Sequence, residues 1–167
     1  MEIKDNVIYF SKVLRDDAII PSKREEDAGF DIYACFEASE IIINPHQIVM
    51  IPTGIATAFP RNYVLIIKER SSTGSKGMSV RMGVIDSGYR GEIFIAINNT
   101  SSKTIVIKKD DSLYKENEND VIYDYKKAIA QAILIPIPKV QSEEISYDKL
   151  KEFSSERATS LLGASGK

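Results

Sequence analysis

Short runs of β-branched and other apolar residues, each closed by a proline, a glycine or a polar turn, recur along most of this chain. Examples are "EIIIN" before Pro45, "QIVMI" before Pro52 and "YVLIIKE" before "RSSTGSKG". Later runs are "EIFIAI", "TIVIKK", "VIYDY" and "IAQAILIPI". Their density, with little helical periodicity, predicts an all-β sandwich or barrel. One short helix is expected near Ser79 to Gly83.

Charge and composition exclude several kinds of functional site. A net charge of −2 gives no broad basic face for nucleic acid, so a phosphate-rich ligand would need a local cluster of cations. Cys35 is the only cysteine, which excludes an internal disulfide and a cysteine-rich zinc site. The only histidine, His46, lies in the turn-like "NPHQ", where a solvated side chain is expected. No run is long enough to span a membrane and "MEIKDN" does not resemble a signal peptide, so we expect a soluble, cytoplasmic protein.

Two polar stretches lie outside the predicted strands. Residues 109–120, "KDDSLYKENEND", are strongly charged and predict a surface excursion between two strands. Their acids do not follow the spacing of a Ca²⁺ loop, and no glycine stands at its turn position. Residues 154–167, "SSERATSLLGASGK", are small and polar, which is typical of a frayed terminus. The chain length therefore predicts one domain over residues 1–153, followed by a tail.

The stretch "RSSTGSKG", residues 70–77, combines Arg70 with hydroxyls and glycines directly after a predicted strand. Glycines let the backbone approach a ligand closely, successive N–H groups can bind an anion, and the Arg70 guanidinium offers a planar charged fork. The stretch is not a Walker A loop, because it lacks the GK[ST] ending. By itself it fits either an ordinary loop or a phosphate-binding loop.

The stretch "DAGFDIYA", residues 27–34, places two acids on either side of a glycine. A turn cap explains Asp27, whereas Asp31 lies within an apolar run and needs a cation or a hydrogen-bond donor as its partner. Carboxylates in this setting suit Mg²⁺, which keeps most of its waters and binds substrate phosphates.

The stretch "GVIDSGYRGEI", residues 83–93, lies between two predicted strands. It predicts a β-hairpin in which Gly88 adopts a positive φ. A hairpin of this kind exposes N–H and C=O groups that can read the edge of a planar base, with Tyr89 covering the ring or sugar face. Asp86 would then serve as a general base for water. A hairpin with a turn aspartate and a surface tyrosine, and no ligand, is the simpler alternative.

Together with "AIAQAILIPI" and the tail from Arg157, these stretches resemble, in order and spacing, the five motifs of the trimeric deoxyuridine triphosphate nucleotidohydrolase (dUTPase) family. The resemblance extends from about Asp27 to the C-terminus. It implies an all-β, jelly-roll-like homotrimer in which each active site takes motifs from three subunits. The implied reaction converts dUTP and water to dUMP and pyrophosphate, which keeps uracil out of DNA and supplies dUMP for thymidylate synthesis.

The resemblance implies roles for the hairpin and the tail. Asp86 would deprotonate a water for in-line attack on the α-phosphorus, and Tyr89 would pack on the deoxyribose, where a 2′-hydroxyl would clash. The tail would be an arm that closes over the nucleotide through Arg157 and Leu162 and excludes water. The backbone implied to hydrogen-bond uracil comprises Gly83, Val84, Ile85, Tyr89, Arg90 and Gly91.

The remaining motifs are implied to hold the triphosphate. Arg70, Ser71 and Ser72 would contact the phosphate chain and position the catalytic acid. Gln131 in "IAQ" would hydrogen-bond the phosphates. Asp31 would lie near Mg²⁺ and reach it through water, and the metal would lower the charge barrier to attack.

The chain departs from the family pattern at several positions. In the arm, Leu162 replaces a stacking phenylalanine and other residues replace glycines, and the lost aromatic face would cost about 1–3 kcal/mol of stacking. Glu69 stands where a proline commonly precedes the arginine, and Ala128 replaces a basic residue. Residues 109–124 resemble an insert known among phage members of the family, which could contact a protein partner.

Two other functions remain open. A deoxycytidine triphosphate deaminase shares the fold, but it needs a water-activating glutamate where this chain has Asp86 and Tyr89, and it would release ammonia. A regulatory or binding protein on the same scaffold would use residues 109–124 to contact a partner. The Asp86 hairpin favours the hydrolase, while the altered arm leaves a binding role open as an addition.

Overall fold

The computed structural model describes residues 2–155, and short strands account for most of their regular structure. Each run of branched residues quoted above forms a strand, because branched side chains pack well on a pleated surface. No helix among the described residues is long and apolar enough to cross a membrane. The elements are β1 (Tyr9–Lys12), β2 (Phe30–Ile32), β3 (Glu40–Ile43), β4 (Ile48–Pro52), β5 (Ile55–Ala58), β6 (Tyr63–Lys68), α1 (Ser71–Gly74), β7 (Met78–Arg81), β8 (Val84–Ile85), β9 (Phe94–Asn99), β10 (Ile105–Lys108), β11 (Val121–Asp124), β12 (Ala130–Pro136) and α2 (Tyr147–Lys151).

The strands form four small sheets, with the orders β1–β5, β11–β10–β3, β2–β12–β6–β8 and β4–β9–β7. The strands pair antiparallel, except that β10 and β11 are parallel. Side chains from all but the first of these sheets dominate one main apolar core. The architecture is the all-β, jelly-roll-like sandwich that the sequence predicts.

Isoleucine dominates that core. Full burial of one such side chain contributes about 1.5–3 kcal/mol, so the sheets are held together mainly by the residues that also favour strands. The largest fully buried side chains include Ile43, Ile51, Ile95, Ile97, Ile105, Ile107 and Phe59.

The chain divides into two compact units, residues 1–137 and 138–167. The first unit contains all twelve strands. The second contains α2, whose N-cap Ser146 accepts a hydrogen bond from the backbone N–H of Lys149. The boundary between the units precedes Ser154, where the arm is predicted to begin.

The short helix predicted near Ser79 to Gly83 is wrong. Residues Met78–Arg81 form β7, which pairs with β9 and is therefore extended. The short helix next to this strand is α1, which starts directly after Arg70. The Thr73 hydroxyl accepts a hydrogen bond from the backbone N–H of Arg70 at 2.9 Å and closes this turn.

The predicted β-hairpin is also wrong, because β8 and β9 belong to different sheets. β8 pairs with β6, and a Cβ on Gly83 would lie 2.5 Å from the carbonyl oxygen of Ile67, so only glycine permits this approach. After the turn, the Ile93 N–H donates to the carbonyl of Ile55 in β5 at 2.8 Å, and the chain then enters β9. Gly88 does not adopt a positive φ.

The polar stretch after β10 forms a surface excursion, as predicted, as far as residue 120. It is closed by Asp120, whose carboxylate accepts hydrogen bonds from the Tyr114 hydroxyl at 3.0 Å and from the Asn117 backbone N–H at 2.8 Å. Residues 121–124 then form β11, which lies parallel to β10. The last part of the 109–124 range is thus a strand of a core sheet.

Asn99, at the end of β9, is a buried polar residue with a full set of partners. Its side-chain amide donates to the carbonyls of Ile43 at 2.9 Å and Lys103 at 2.7 Å. Its carbonyl oxygen accepts from the backbone N–H and the hydroxyl of Ser101 at 3.0 and 2.7 Å. The residue therefore joins β3, β9 and the turn that leads to β10.

We expect the substitution Asn99→Ala to lower the free energy of unfolding by about 2–4 kcal/mol, because it removes the donor to the buried carbonyl of Ile43 and to the part-buried carbonyl of Lys103. The control Asn62→Ala removes an exposed turn side chain and should change stability by less than about 0.5 kcal/mol. Urea denaturation of the two variants measures both values. If the two variants lost the same free energy of unfolding, the side-chain hydrogen bonds of Asn99 would contribute nothing measurable to stability.

Candidate active site

The pairing of β12 with its two neighbours brings three of the sequence motifs together. Gln131 in β12 lies opposite Asp31 in β2 and opposite Lys68 in β6. Residues that face each other across a ladder project to the same side of a sheet. The Gln131 amide donates to the carbonyl of Glu69 at 2.9 Å. Glu69 directly precedes "RSSTGSKG", so this bond links the glutamine to that motif.

Arg70 and Asp31 form a two-pronged ion pair within this group. Arg70 Nε lies 2.9 Å from Asp31 Oδ1, and Nη2 lies 3.3 Å from Oδ2. Both side chains are about one-third exposed, at 32% and 34%, so the pair contributes about 1 kcal/mol or less to stability. Its effect is geometric, because the fork fixes the plane of the guanidinium. N–H groups of Arg70 that these bonds do not use remain available to a ligand.

A tight turn after β6 presents Ser71 and Ser72 to solvent beside Arg70. The buried hydroxyl of Thr73 accepts from the Arg70 N–H and donates to the Arg70 carbonyl at 3.0 Å. Glu69 reaches back to β7, where its carboxylate accepts from the Val80 N–H at 3.4 Å. Its own backbone N–H, with Lys68 and Val80, holds the pKa of Glu69 below its usual value. The glutamate at the position where a proline is common in the family therefore connects the segment between β6 and Arg70 to β7.

Gly29 is needed where the first motif passes Gln131. A Cβ at this position would lie 2.8 Å from the Gln131 Oε1 atom and 3.1 Å from its Cβ. Any larger residue would push the glutamine side chain out of its place between Asp31 and Glu69. This close approach explains the glycine between the two acids of "DAGFDIYA".

These motifs line one cleft of about 840 Å³, a volume within the range of ligand pockets. The residues from the sequence motifs that line it are Asp31, Arg70, Ser71, Ser72 and Gln131. The rest of the wall is a loop with charges of both signs, which begins at Ser22 beside Asp31. The charge run "SKREED" is the sequence signal for its lining residues Lys23, Arg24, Glu26 and Asp27.

Asp27 organises that loop, as the turn-cap interpretation predicts. Its carboxylate accepts from the Arg24 backbone N–H at 3.2 Å and pairs with Arg24 Nε at 2.9 Å. The Arg24 side chain holds the pKa of the Asp27 carboxyl below its usual value. Lys23 Nζ donates to the Asp27 carbonyl at 2.7 Å. The cations of this wall are thus oriented by their own loop.

The residues predicted from "GVIDSGYRGEI" lie along β8 and the turn after it, at the edge of the four-stranded sheet that also contains β12. β8 is the last strand in its sheet, and the Ile67 N–H donates to the Gly83 carbonyl at 2.7 Å. Val84 comes next and lies opposite Ile66. Because hydrogen-bonded and non-bonded pairs alternate along an antiparallel ladder, the N–H and C=O of Val84 point away from β6. The edge therefore offers one donor and one acceptor.

A turn follows this edge and holds Asp86 and Tyr89. The Tyr89 N–H donates to the Asp86 carbonyl at 3.0 Å, and the Tyr89 hydroxyl donates to the Glu92 carbonyl at 2.9 Å. A Cβ on Gly91 would lie 2.5 Å from that hydroxyl, so the glycine makes room for the tyrosine to fold back. Arg90 does not face the turn's cleft; its side chain donates to the carbonyls of Ser87 and Tyr89. The Asp86 carboxylate is exposed.

This edge and turn line a second cleft of about 610 Å³, which shares no lining residue with the first. Apolar side chains dominate it, and two of them are largely exposed, Met82 at 68% and Val84 at 64%. Of the predicted residues, Gly83, Val84, Ile85, Asp86 and Tyr89 line this cleft. Arg157 and Leu162 lie outside the described residues.

The first cleft contains oxygen-bearing side chains, the kind of ligand that Mg²⁺ prefers. Residues 2–155 contain no group of three or more histidine, cysteine, aspartate or glutamate side chains that could hold a metal ion by themselves. Asp31 is engaged through both oxygens by Arg70. Mg²⁺ keeps several waters and binds through one or two carboxylates plus phosphates. The carboxylates in the lining, those of Glu26, Asp27 and Asp31, are of the type that this mode of binding uses.

Comparison with known proteins agrees with the motif pattern. The dUTPase family model matches residues 15–114. The deoxyuridine 5'-triphosphate nucleotidohydrolases of Nautilia profundicola and Clostridium tetani are 33% and 34% identical over 160 residues, which is 93% of this chain and 96% and 94% of those proteins. The solved dUTPase of Staphylococcus bacteriophage 80alpha with dUPNHPP is 26% identical, with a TM-score of 0.72 over 97% of this chain and 99% of that chain.

The family model spans more than half of the chain, and the relatives align over nearly all of it. The resemblance drawn from the five motifs is thereby confirmed, and the chain belongs to the dUTPase family.

Proposed function

We propose that this chain hydrolyses dUTP to dUMP and pyrophosphate, with Asp86 as the base that activates water. The observation that carries the proposal is the presence of two complementary clefts. One holds the Arg70–Asp31 fork, serines and a glutamine suited to phosphates, and the other is apolar with an open strand edge and an exposed carboxylate. A nucleotide has both kinds of group, an anionic chain and a planar base.

In this mechanism the first cleft orients the phosphate chain. Arg70, Ser71, Ser72 and Gln131 supply donors, and Asp31 keeps the guanidinium plane fixed before the substrate arrives. When bound, Mg²⁺ on the triphosphate neutralises charge at the reacting phosphate. The oxygen of a water molecule forms a bond to the α-phosphorus while its proton passes to Asp86. The bond from the α-phosphorus to the bridging oxygen breaks, and pyrophosphate leaves.

The second cleft would bind the base and the sugar. The outward N–H and C=O of Val84, with the neighbouring backbone from Gly83 to Ile85, match the alternating donors and acceptors of a uracil edge. Tyr89 would pack on the deoxyribose and leave no room for a 2′-hydroxyl. The backbone from Tyr89 to Gly91 would complete the base contacts, with Arg90 holding the turn rather than the ligand.

The tail and the excursion have separate proposed roles. The arm with Arg157 and Leu162 would close over the nucleotide and exclude water. The 109–124 segment would offer a surface to a protein partner, since Leu113 within it is 93% exposed. The dUMP formed would serve thymidylate synthesis and the removal of dUTP would keep uracil out of DNA, which is consistent with the expected cytoplasmic location.

A homotrimer would bring the two clefts of different chains together. On one chain the two clefts share no lining residue, and a site formed from both would combine the clefts of two subunits. The exposed apolar lining of the second cleft, which continues to Ile48, supports this arrangement, since isolated proteins seldom expose such patches. The face consists of Ile48, Met50, Met82, Val84 and Phe94, which are 39–68% exposed.

The substrate class is tested by measuring pyrophosphate release from dUTP, dCTP, dTTP and UTP, with Mg²⁺ and with EDTA. We expect release from dUTP alone and its loss in EDTA, because Mg²⁺ that binds mainly through waters and substrate phosphates is readily removed by a chelator. Ammonia release from dCTP would instead indicate a deaminase. Binding of dUTP without turnover would indicate a regulatory protein.

For the catalytic base, Asp86→Asn should lower kcat by about 10²–10⁴-fold and leave the Kd for a non-hydrolysable dUTP analogue nearly unchanged. The substitution keeps the shape of the side chain and removes its ability to take a proton. Asp16→Asn, at an exposed position remote in sequence from the motifs, is the matched control. A kcat near that of the unmodified chain would remove Asp86 from this role.

Sedimentation equilibrium tests the oligomer, and we expect three times the mass of one chain. Ile48→Glu should weaken this assembly and lower activity at low protein concentration, because it places a charge on the apolar face. Leu113→Glu alters an exposed apolar residue of the excursion and should leave the assembly intact. A fully active monomer would contradict a site shared between subunits.

A further inference from the structure

The hydroxyl of Tyr123 lies beneath the phosphate cleft, although Tyr123 belongs to none of the motifs. The residue is in β11, is 4% exposed, and its ring is part of the main core. Its hydroxyl donates to the carbonyl oxygen of Ala128 at 2.7 Å. The phenol thus makes a short hydrogen bond inside the protein, at the residue that precedes the strand β12 by two positions.

The same Ala128 carbonyl is an acceptor for Arg70. Arg70 Nη1 lies 3.4 Å from this oxygen, a longer contact than the 2.9 Å bond to Asp31. Asp31 holds one side of the guanidinium and Ala128 meets the other. The position of one backbone carbonyl therefore helps to set the orientation of Arg70, and Tyr123 is bonded to that carbonyl.

Electrostatics place Tyr123 in the same network. Burial raises the pKa of Tyr123, while the charge of Arg70 and the hydroxyl of Ser72 act in the opposite direction. The shared Ala128 carbonyl brings the phenol close to the Arg70 guanidinium. With its pKa above the usual value, the group stays protonated at neutral pH and keeps its role as a donor.

The strand that carries Tyr123 is fixed independently of the cleft. Tyr123 lies opposite Ile107 of β10 in the parallel ladder. The Val121 N–H donates to the Thr104 carbonyl at 2.8 Å, which sets the start of the strand. The hydroxyl therefore approaches the cleft from a rigid element of the core sheet.

We propose that Tyr123 is a positioning residue of the active site, which holds the Ala128 carbonyl and through it the Arg70 guanidinium in the orientation that binds the phosphate chain. The inference rests on the proposed function, because it assigns Arg70 to the phosphates of dUTP. Tyr123 itself touches no substrate. Its loss should affect the phosphate end of the ligand and spare the nucleoside end.

The test compares Tyr123→Phe with Tyr125→Phe, which removes a hydroxyl two residues further on. Tyr125 packs on Phe36 with ring centroids 5.0 Å apart and lines neither cleft. We expect Tyr123→Phe to raise the KM for dUTP about tenfold and to change the inhibition constant of deoxyuridine, which has no phosphate, less than about twofold. Tyr125→Phe should change neither. Thermal unfolding of both variants shows that the fold is retained.

A double-mutant cycle with Arg70→Lys tests whether Tyr123 acts through Arg70. In the Arg70→Lys background, Tyr123→Phe should change the KM for dUTP less than about twofold, since the guanidinium that it orients is gone. A full tenfold effect in that background, an equal loss of deoxyuridine binding, or no effect of Tyr123→Phe at all would each overturn the inference. Absence of dUTP hydrolysis by the unmodified chain would overturn the proposed function and this inference with it.

Discussion

The register of β12 between β2 and β6 is the constraint on which the candidate site depends. It sets Gln131 opposite both Asp31 and Lys68, and Arg70 follows two residues after Lys68. A slip of one residue would turn the Gln131 side chain to the other face of the sheet and bury a polar group in the core. The apolar neighbours in β12, Ala130 and Ala132, are fully buried and fix this register from the other face. The same packing that stabilises the sheet thus brings together the residues of the first cleft.

The cleft concentrates charge in a chain that has little net charge. The overall charge is −2, and three cations, Lys23, Arg24 and Arg70, line one cavity together with three acids, Glu26, Asp27 and Asp31. Each is oriented by a partner within the chain, and the acids Asp27 and Asp31 fix the two arginines. Partly exposed pairs of this kind stabilise the fold little, so their value lies in preorganisation. A phosphate ligand would meet cations whose geometry is already set.

Sequence reasoning succeeds where the signal is local and fails where it depends on pairing. Strand runs are local, and they predict the all-β fold. It is the family resemblance, rather than any strand pattern, that groups the residues of the first cleft. The hairpin prediction is wrong because the chain around Gly83 pairs with β6, where Gly83 packs on Ile67, rather than with the strand that follows. Tyr123 was missed for a related reason, since "VIYDY" looks like any buried strand. Only the register of β11 and the turn at Ala128 bring its hydroxyl under Arg70.

The distribution of the candidate site over two clefts also affects how mutations in two copies of the gene would combine. If each active site combines the Arg70 cleft of one subunit with the Asp86 turn of another, a mutation in one chain inactivates a site that it shares with its neighbour. Two alleles, one damaged at each cleft, would then complement each other, because a mixed assembly can still contain one site built from two undamaged halves. A single damaged allele would in turn impair assemblies in which most chains are sound.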